Sequence, residues 1–334
     1  MKNYLLRLIF FTPLIHYKNA TRRNLGFVFF SLLVCLQSVS ADNSAKKEII
    51  VTIKPLQGLV QAIAKDTVNI QRLLPDYASL HHYHFRPSDI HKVKAADIVF
   101  RIDEHMERFL SPLLTTLPQH RVISLADIPQ LSLLPVINTV INTESIVKKI
   151  DHTEEEHHHE HQHGNQDLHI WMSPQNGIVM AQKITAVLSS LNPQYSHFYQ
   201  NNLVDLTKKI NQFTQRFQRQ AKQFQHKPYL VFHDAWNYFS TSFHLHKLAS
   251  INLHTDIQLG VKTMLKTRKR IKQSQAVCLF SEPHFRPKTV TTLIEGFAIK
   301  TIELDTLGSH LKSNDDLYLE LLRYTAKQIR NCLS

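Results

Sequence analysis

Ile49-Ile50-Val51-Thr52-Ile53-Lys54-Pro55-Leu56-Gln57-Gly58-Leu59-Val60-Gln61-Ala62-Ile63-Ala64-Lys65-Asp66-Thr67-Val68-Asn69-Ile70-Gln71-Arg72-Leu73-Leu74 is the stretch that decides the fold. Ile49 to Ile53 is a short, β-branched run with the length of a strand. Leu56 to Ala64 repeats its apolar residues at helical spacing, and Val68 to Leu74 returns to a strand pattern. The rhythm continues with a helix over Ile90 to Ala96, opened by Pro87, Ser88 and Asp89, and a strand over Ile98 to Ile102. A helix over Met106 to Leu117 and a strand over Val122 to Leu125 follow. Such alternation predicts an α/β fold with a mainly parallel sheet covered by helices.

After Ser173-Pro174 the strand signals vanish for about fifty residues. The pattern is helical from Gln175 to Leu191 and, past Asn192-Pro193, from Gln194 to Phe224. This segment predicts a long connecting helix. Strands then return at Tyr229 to Phe232, Leu248 to Asn252, Ala276 to Phe280 and Thr301 to Leu304. They alternate with helices beginning at Ala235, Lys262 and Pro287 and end on a helix over Asp315 to Cys332. The length of 334 residues exceeds what one core normally serves, about 250 to 300 residues. The expected organisation is a leader to residue 41, an N-terminal α/β domain over 42–173, a helical connector over 174–227 and a C-terminal α/β domain over 228–334. Ligands of open α/β sheets bind outside the carboxyl ends of the strands, which here means the cleft between the domains.

Composition narrows the class. Glycine is scarce, at seven, and neither a G-x-x-x-x-G-K-[ST] nor a G-x-G-x-x-G phosphate loop occurs. Arg22-Arg23-Asn24, the apolar stretch Leu25 to Leu36 and Gln37-Ser38-Val39-Ser40-Ala41 have the layout of an export signal with cleavage after Ala41. The leader holds five basic residues and no acidic one, so removing it leaves 34 basic against 27 acidic side chains, a net of +7. That excess is modest, no basic block is interleaved with aromatics, and nucleic-acid binding is not expected. Loss of Cys35 with the leader leaves Cys278 and Cys332 in an oxidising compartment, where an even pair reads as a disulfide.

Six of the twelve residues from His152 to His163 are histidines: His152, His157, His158, His159, His161 and His163. Imidazole is the commonest protein ligand for transition metals, so this density points to metal handling, in a solvated loop kept soluble by its glutamates.

Four motifs fall at strand ends: Ala78-Ser79-Leu80-His81-His82-Tyr83-His84-Phe85-Arg86-Pro87-Ser88-Asp89, Asp167-Leu168-His169-Ile170-Trp171-Met172-Ser173-Pro174, Phe232-His233-Asp234-Ala235, and Asp305-Thr306-Leu307-Gly308. With Ile53-Lys54-Pro55-Leu56 and Glu282-Pro283-His284-Phe285-Arg286-Pro287, their combination and order resemble the periplasmic zinc-binding proteins of ABC importers, the ZnuA-type solute-binding family. The resemblance covers the whole chain after the leader. It implies that His81, His169 and His233 bind Zn²⁺ in the interdomain cleft, with Asp305 as a candidate fourth ligand. It also implies an ABC transporter membrane permease as partner, a periplasmic location and a monomer without enzymatic activity. The chemistry agrees, since three imidazoles suit borderline-soft Zn²⁺ and leave one tetrahedral position for water or a carboxylate.

The chain departs from the family pattern at Leu80, where some members carry a coordinating glutamate, so water or Asp305 must complete the site. His82 and His84 are read as exposed neighbours of His81. Asp234 could orient an imidazole or cap the helix expected from Ala235. Manganese-binding relatives have a carboxylate at the His233 position, and nitrogen there moves the preference towards zinc. A manganese or iron importer component is the alternative, and a zinc enzyme a more distant one, lacking an H-E-x-x-H. An adhesin-like role would need an anchor that the leader does not supply.

Overall fold

The computed structural model describes residues 45–80, 83–136, 166–252, 260–283 and 287–334. The leader, the His-rich stretch and residues 81 and 82 lie outside them. Strand β1 (Lys47–Val51) leads through helix α1 (Lys54–Ala64) to β2 (Val68–Arg72). Helix α2 (Pro87–Ala95), β3 (Ile98–Arg101), α3 (Ser111–Leu114) and β4 (Val122–Ser124) complete the first lobe. Its four strands are parallel, in the order β2-β1-β3-β4. The chain therefore moves to one side of β1 and then to the other.

The helix expected over Met106 to Leu117 is broken into a 3-10 turn, Arg108–Leu110, and the four-residue α3. Pro112 accounts for the break, because it has no N–H to donate and its ring excludes the preceding helical turn. A two-stranded antiparallel ribbon of β5 (Leu134–Pro135) and β6 (Gln166–Asp167) flanks the His-rich stretch. Two residues per strand gave no readable alternation.

Helices α4 (Pro174–Leu191) and α5 (Ser196–Ala221) form the connector. Ser173 caps α4, its hydroxyl accepting the Asn176 N–H at 3.2 Å, and Pro174 suits the first helical position. The second lobe runs β7 (Tyr229–His233), α6 (Asn237–Ser242), β8 (Lys247–Asn252), α7 (Val261–Gln273), β9 (Cys278–Ser281), α8 (Pro287–Ile294), β10 (Lys300–Glu303) and α9 (Leu317–Leu333). Its parallel sheet has the order β10-β9-β7-β8. Reversed, that is the order of the first sheet. The expected α/β class with two mainly parallel sheets and a long connecting helix is the observed one.

One hydrophobic core serves both lobes. It includes Ile49, Leu56 and Phe100 from the first, Tyr229, Phe239 and Phe280 from the second, and Phe217 from the connector. Helix α9 closes it by crossing back onto α1 and α4, where the Tyr318 hydroxyl donates to the carbonyls of Trp171 at 2.8 Å and Ser173 at 3.3 Å. Gly177 makes this crossing possible, since a Cβ there would sit 2.1 Å from the Tyr318 hydroxyl. The Cys278–Cys332 disulfide pins the last turn of α9 to the first residue of β9, with the Cα atoms 5.9 Å apart. No described helix is long and apolar enough to cross a membrane.

Candidate metal site

His233 is the last residue of β7, and Glu282 directly follows β9, the neighbouring strand. β7 and β9 are the pair at which the second sheet changes direction, so both side chains emerge at its topological switch point. His233 Nδ1 lies 2.9 Å from Glu282 Oε1, with the two residues 6% and 5% exposed. A carboxylate only accepts, so Nδ1 carries the hydrogen and, in the neutral imidazole, the lone pair sits on Nε2. Burial works against protonation of this imidazole, but Glu282, with Asp234 and Asp167 behind it, outweighs burial and raises its pKa.

His169 reaches the same place from the first half of the chain. It stands between β6 and a 3-10 turn, Ile170–Met172, at 8% exposure. The Asp167 carboxylate accepts both the His169 backbone N–H at 3.0 Å and Nδ1 at 2.7 Å. Burial alone would raise the Asp167 carboxyl. The charge of His169 and hydrogen bonds from His169 and Asn237 more than offset it and hold the group below the usual carboxylate range. Because Asn237, from α6, donates to Asp167 Oδ2 at 3.0 Å, the His169 turn is tied to the helix that follows His233. The two imidazole rings are 5.1 Å apart, centre to centre, at 72° to each other.

Asp305 follows β10 and is 2% exposed. Its Oδ1 accepts the Leu307 N–H at 2.8 Å and its Oδ2 the Ser309 N–H at 2.6 Å, so the carboxylate shapes its own loop. The next residue, Thr306, gives its carbonyl to Trp171 Nε1 at 2.9 Å, and the Trp171 ring lies 5.3 Å from that of His169. Asp305 is thus linked to His169 through Thr306 and Trp171.

The structure brings His169 and His233 together. His81 and the histidines at 152, 157, 158, 159, 161 and 163 lie outside the described residues. Among the described residues no group of three or more His, Cys, Asp or Glu side chains converges on one point. Leu80, the last described residue before His81, is buried, and His84 is exposed. Asp89 anchors the far end of this loop by accepting the Arg86 N–H at 3.0 Å and the Tyr83 hydroxyl at 2.8 Å.

Sequence reasoning missed both imidazole partners. It offered Asp234 as the residue orienting His233, but the Asp234 carboxylate pairs with Lys247, and α6 begins at Asn237 with no side-chain cap. Glu282 was readable as a carboxylate at a strand end, and Asp167 as an acid two residues before a histidine. What was not readable is that β9 lies beside β7.

Two parallel α/β lobes around a connector, with buried, carboxylate-backed imidazoles at the strand ends, define a two-lobed binding protein. The chain belongs to the family described as zinc-uptake complex component A periplasmic, which it matches over residues 49–332. It is 32% identical over 305 residues to the high-affinity zinc uptake system protein ZnuA of Yersinia pestis, covering 87% of this chain and 92% of that protein. It is 31% identical over 337 residues to the protein of the same name from Brucella suis biovar 1 (strain 1330), covering 93% and 99%. A crystal structure of ZnuA superimposes with a TM-score of 0.70 at 20% identity, covering 86% of this chain and 100% of the other. A 138–173 deletion mutant of ZnuA with zinc bound gives 0.69 at 20% identity, covering 86% and 98%.

Proposed function

We propose that this chain is an extracytoplasmic solute-binding protein that captures Zn²⁺ between its lobes and delivers it to the membrane permease of an ABC importer. The observation that carries the reading is the spacing of the two imidazoles. A Zn–N bond of about 2.0 to 2.1 Å places an ion about 3.2 Å from each ring centre, and with both Nε2 atoms directed at it a tetrahedral angle would separate the centres by about 5.2 Å. His169 and His233 are 5.1 Å apart. Each also has a carboxylate on Nδ1, the usual arrangement behind a metal-ligating histidine.

In this reading His81, His169 and His233 are the ligands, and water or Asp305 takes the fourth position. His152, His157, His158, His159, His161 and His163 form an accessory, weaker site, because an unscaffolded loop loses conformational freedom with every ion it orders. An N-terminal signal cleaved near Ala41 sends the chain to the periplasm, where it acts as a monomer. Nitrogen at position 233 favours zinc over the manganese or iron alternative. Ligands drawn from distant segments suit a cleft that closes over an ion better than a zinc enzyme, which must admit a substrate.

Purification without chelators, followed by metal analysis and competition titration, tests the reading. One tightly held zinc per chain is expected, lost on His81→Ala, His169→Ala or His233→Ala and largely kept on Leu80→Ala. Tight zinc binding that survives all three histidine substitutions would overturn it.

A further inference from the structure

We propose that Lys54 is a positioning residue for the metal site, a clamp that holds the loop leading into His81 against the Asp305 loop of the opposite lobe and thereby slows release of the ion. This rests on the zinc-binding reading above and adds to it a residue that touches no metal. Lysine is almost never fully buried without partners, because its ammonium must keep hydrogen bonds in place of water. Lys54 is 4% exposed. Its Nζ donates to Asp76 Oδ1 at 3.1 Å, within its own lobe, and to the Ser309 carbonyl at 2.8 Å, across to the other.

Both ends of the clamp are built for it. On the far side the Asp305 carboxylate fixes the N–H groups of Leu307 and Ser309, and Gly308 turns the chain with φ +66. A Cβ on Gly308 would also lie 2.9 Å from the terminal methyl Leu311 Cδ1, which would have to shift, so it is the positive φ that mainly favours glycine here. This turn presents Ser309 to the first lobe. On the near side Arg72 Nη1 holds the same Asp76 oxygen at 2.7 Å. Tyr77 then adopts φ +62, a left-handed conformation that disfavours a side chain, while its N–H donates to Ser309 Oγ at 3.2 Å. Ser309 therefore receives Lys54 on its carbonyl and Tyr77 on its hydroxyl. Three residues beyond Tyr77 comes the buried Leu80, and then His81.

The Lys54 ammonium bridges the first lobe to the Ser309 loop, so a release that separates the two would have to break its bond to that loop. The Lys54 bond to the Ser309 carbonyl exists only while the two loops are together, so its loss should act on release more than on capture. Lys54→Met keeps the buried stem and removes the ammonium. Stopped-flow measurements on the purified protein, with zinc added to the metal-free form and then chased by excess chelator, read both rates. We expect zinc dissociation about tenfold faster and association within about twofold of wild type, with the far-ultraviolet circular dichroism unchanged. Lys54→Arg should restore part of the slow release, which a residue that merely filled space would not do. If Lys54→Met lowers the yield of folded protein, Lys54→Gln carries the same test, since its shorter neutral amide removes the ammonium but keeps a polar group, with dissociation expected about threefold faster. A folded Lys54→Met that releases zinc at the wild-type rate, or a Lys54→Gln that does so where Lys54→Met cannot be made, overturns the clamp and leaves the zinc site standing. Absence of tight zinc from the wild-type protein overturns both.

Discussion

Glu282 accepts a hydrogen bond from His233 Nδ1 at 2.9 Å across the junction between β7 and β9, and both groups are buried. The pair fixes the ring's tautomer and orientation before any ion arrives. Removing such an outer partner of a ligating histidine typically costs about 10- to 100-fold in metal affinity. Glu282→Ala should therefore weaken zinc binding by about that factor, and Glu282→Gln by less, because its amide oxygen can still accept from Nδ1. Competition titration against a chelator of known affinity measures both. Equal affinities for wild type and Glu282→Ala would show that the glutamate does not prepare His233.

Glu107 is fully buried just beyond β3, where its carboxylate accepts the backbone N–H groups of Ile102 and Asp103 at 2.9 and 3.0 Å. Burial outweighs these bonds and pushes its pKa from 4.5 up to about 7. The folded chain then keeps a proton that the unfolded chain has released. Its contribution to stability is complete below about pH 4.5, declines as pH rises to about 7, and is absent above that. Glu107→Gln should raise stability at pH 8 by on the order of 1 to 3 kcal/mol and change it little at pH 5. Denaturant melts at the two pH values check this, and equal differences at both would contradict it.

Cys278 and Cys332 close a span of 54 residues in sequence, and both are buried. The chain-entropy account gives such a bridge about 4 kcal/mol, as an upper estimate. Under denaturing, non-reducing conditions thiol labelling should find no free cysteine in the chain that begins after Ala41, and reduction should lower the melting temperature by several degrees. Quantitative labelling of both thiols would reject the bridge in the exported protein and weaken the case for export.

Deleting Thr153 to His163 should remove only a weak phase from a calorimetric zinc titration and leave one tight site. Imidazoles must be neutral to bind, so the weak phase of the intact protein should fade as pH falls through about 6.5, while the tight site, which gains more per ion, holds zinc to lower pH despite the raised pKa of His233. Loss of the tight phase on deletion would mean that the loop supplies the principal ligands.

Much of this protein was legible from periodicity alone. The run from Ile49 to Leu74 carries a strand, a helix and a second strand within local patterns of two and 3.6 residues, and the same patterns return after Tyr229, because burial of one face is imposed residue by residue. Ser173-Pro174 and Arg86-Pro87-Ser88-Asp89 announced helix starts, since caps act over three or four positions. The histidines at 81, 169 and 233 were singled out by the resemblance that the motifs and their order carry. Pro112 was in plain view as well, and it broke a helix that apolar spacing had predicted.

What only the tertiary structure decided is who stands beside whom. His233 and Glu282 are 49 residues apart, and Lys54 and Ser309 are 255. Such pairs follow from sheet order and from the return of α9 across the core, and no local pattern contains either. The sequence by itself determined the two parallel α/β lobes and the helical connector, because these depend on local periodicity and caps. Tertiary structure alone decided which carboxylate turns each imidazole and where a buried lysine crosses between the lobes, because a hydrogen bond is set by distance in space and not by distance along the chain.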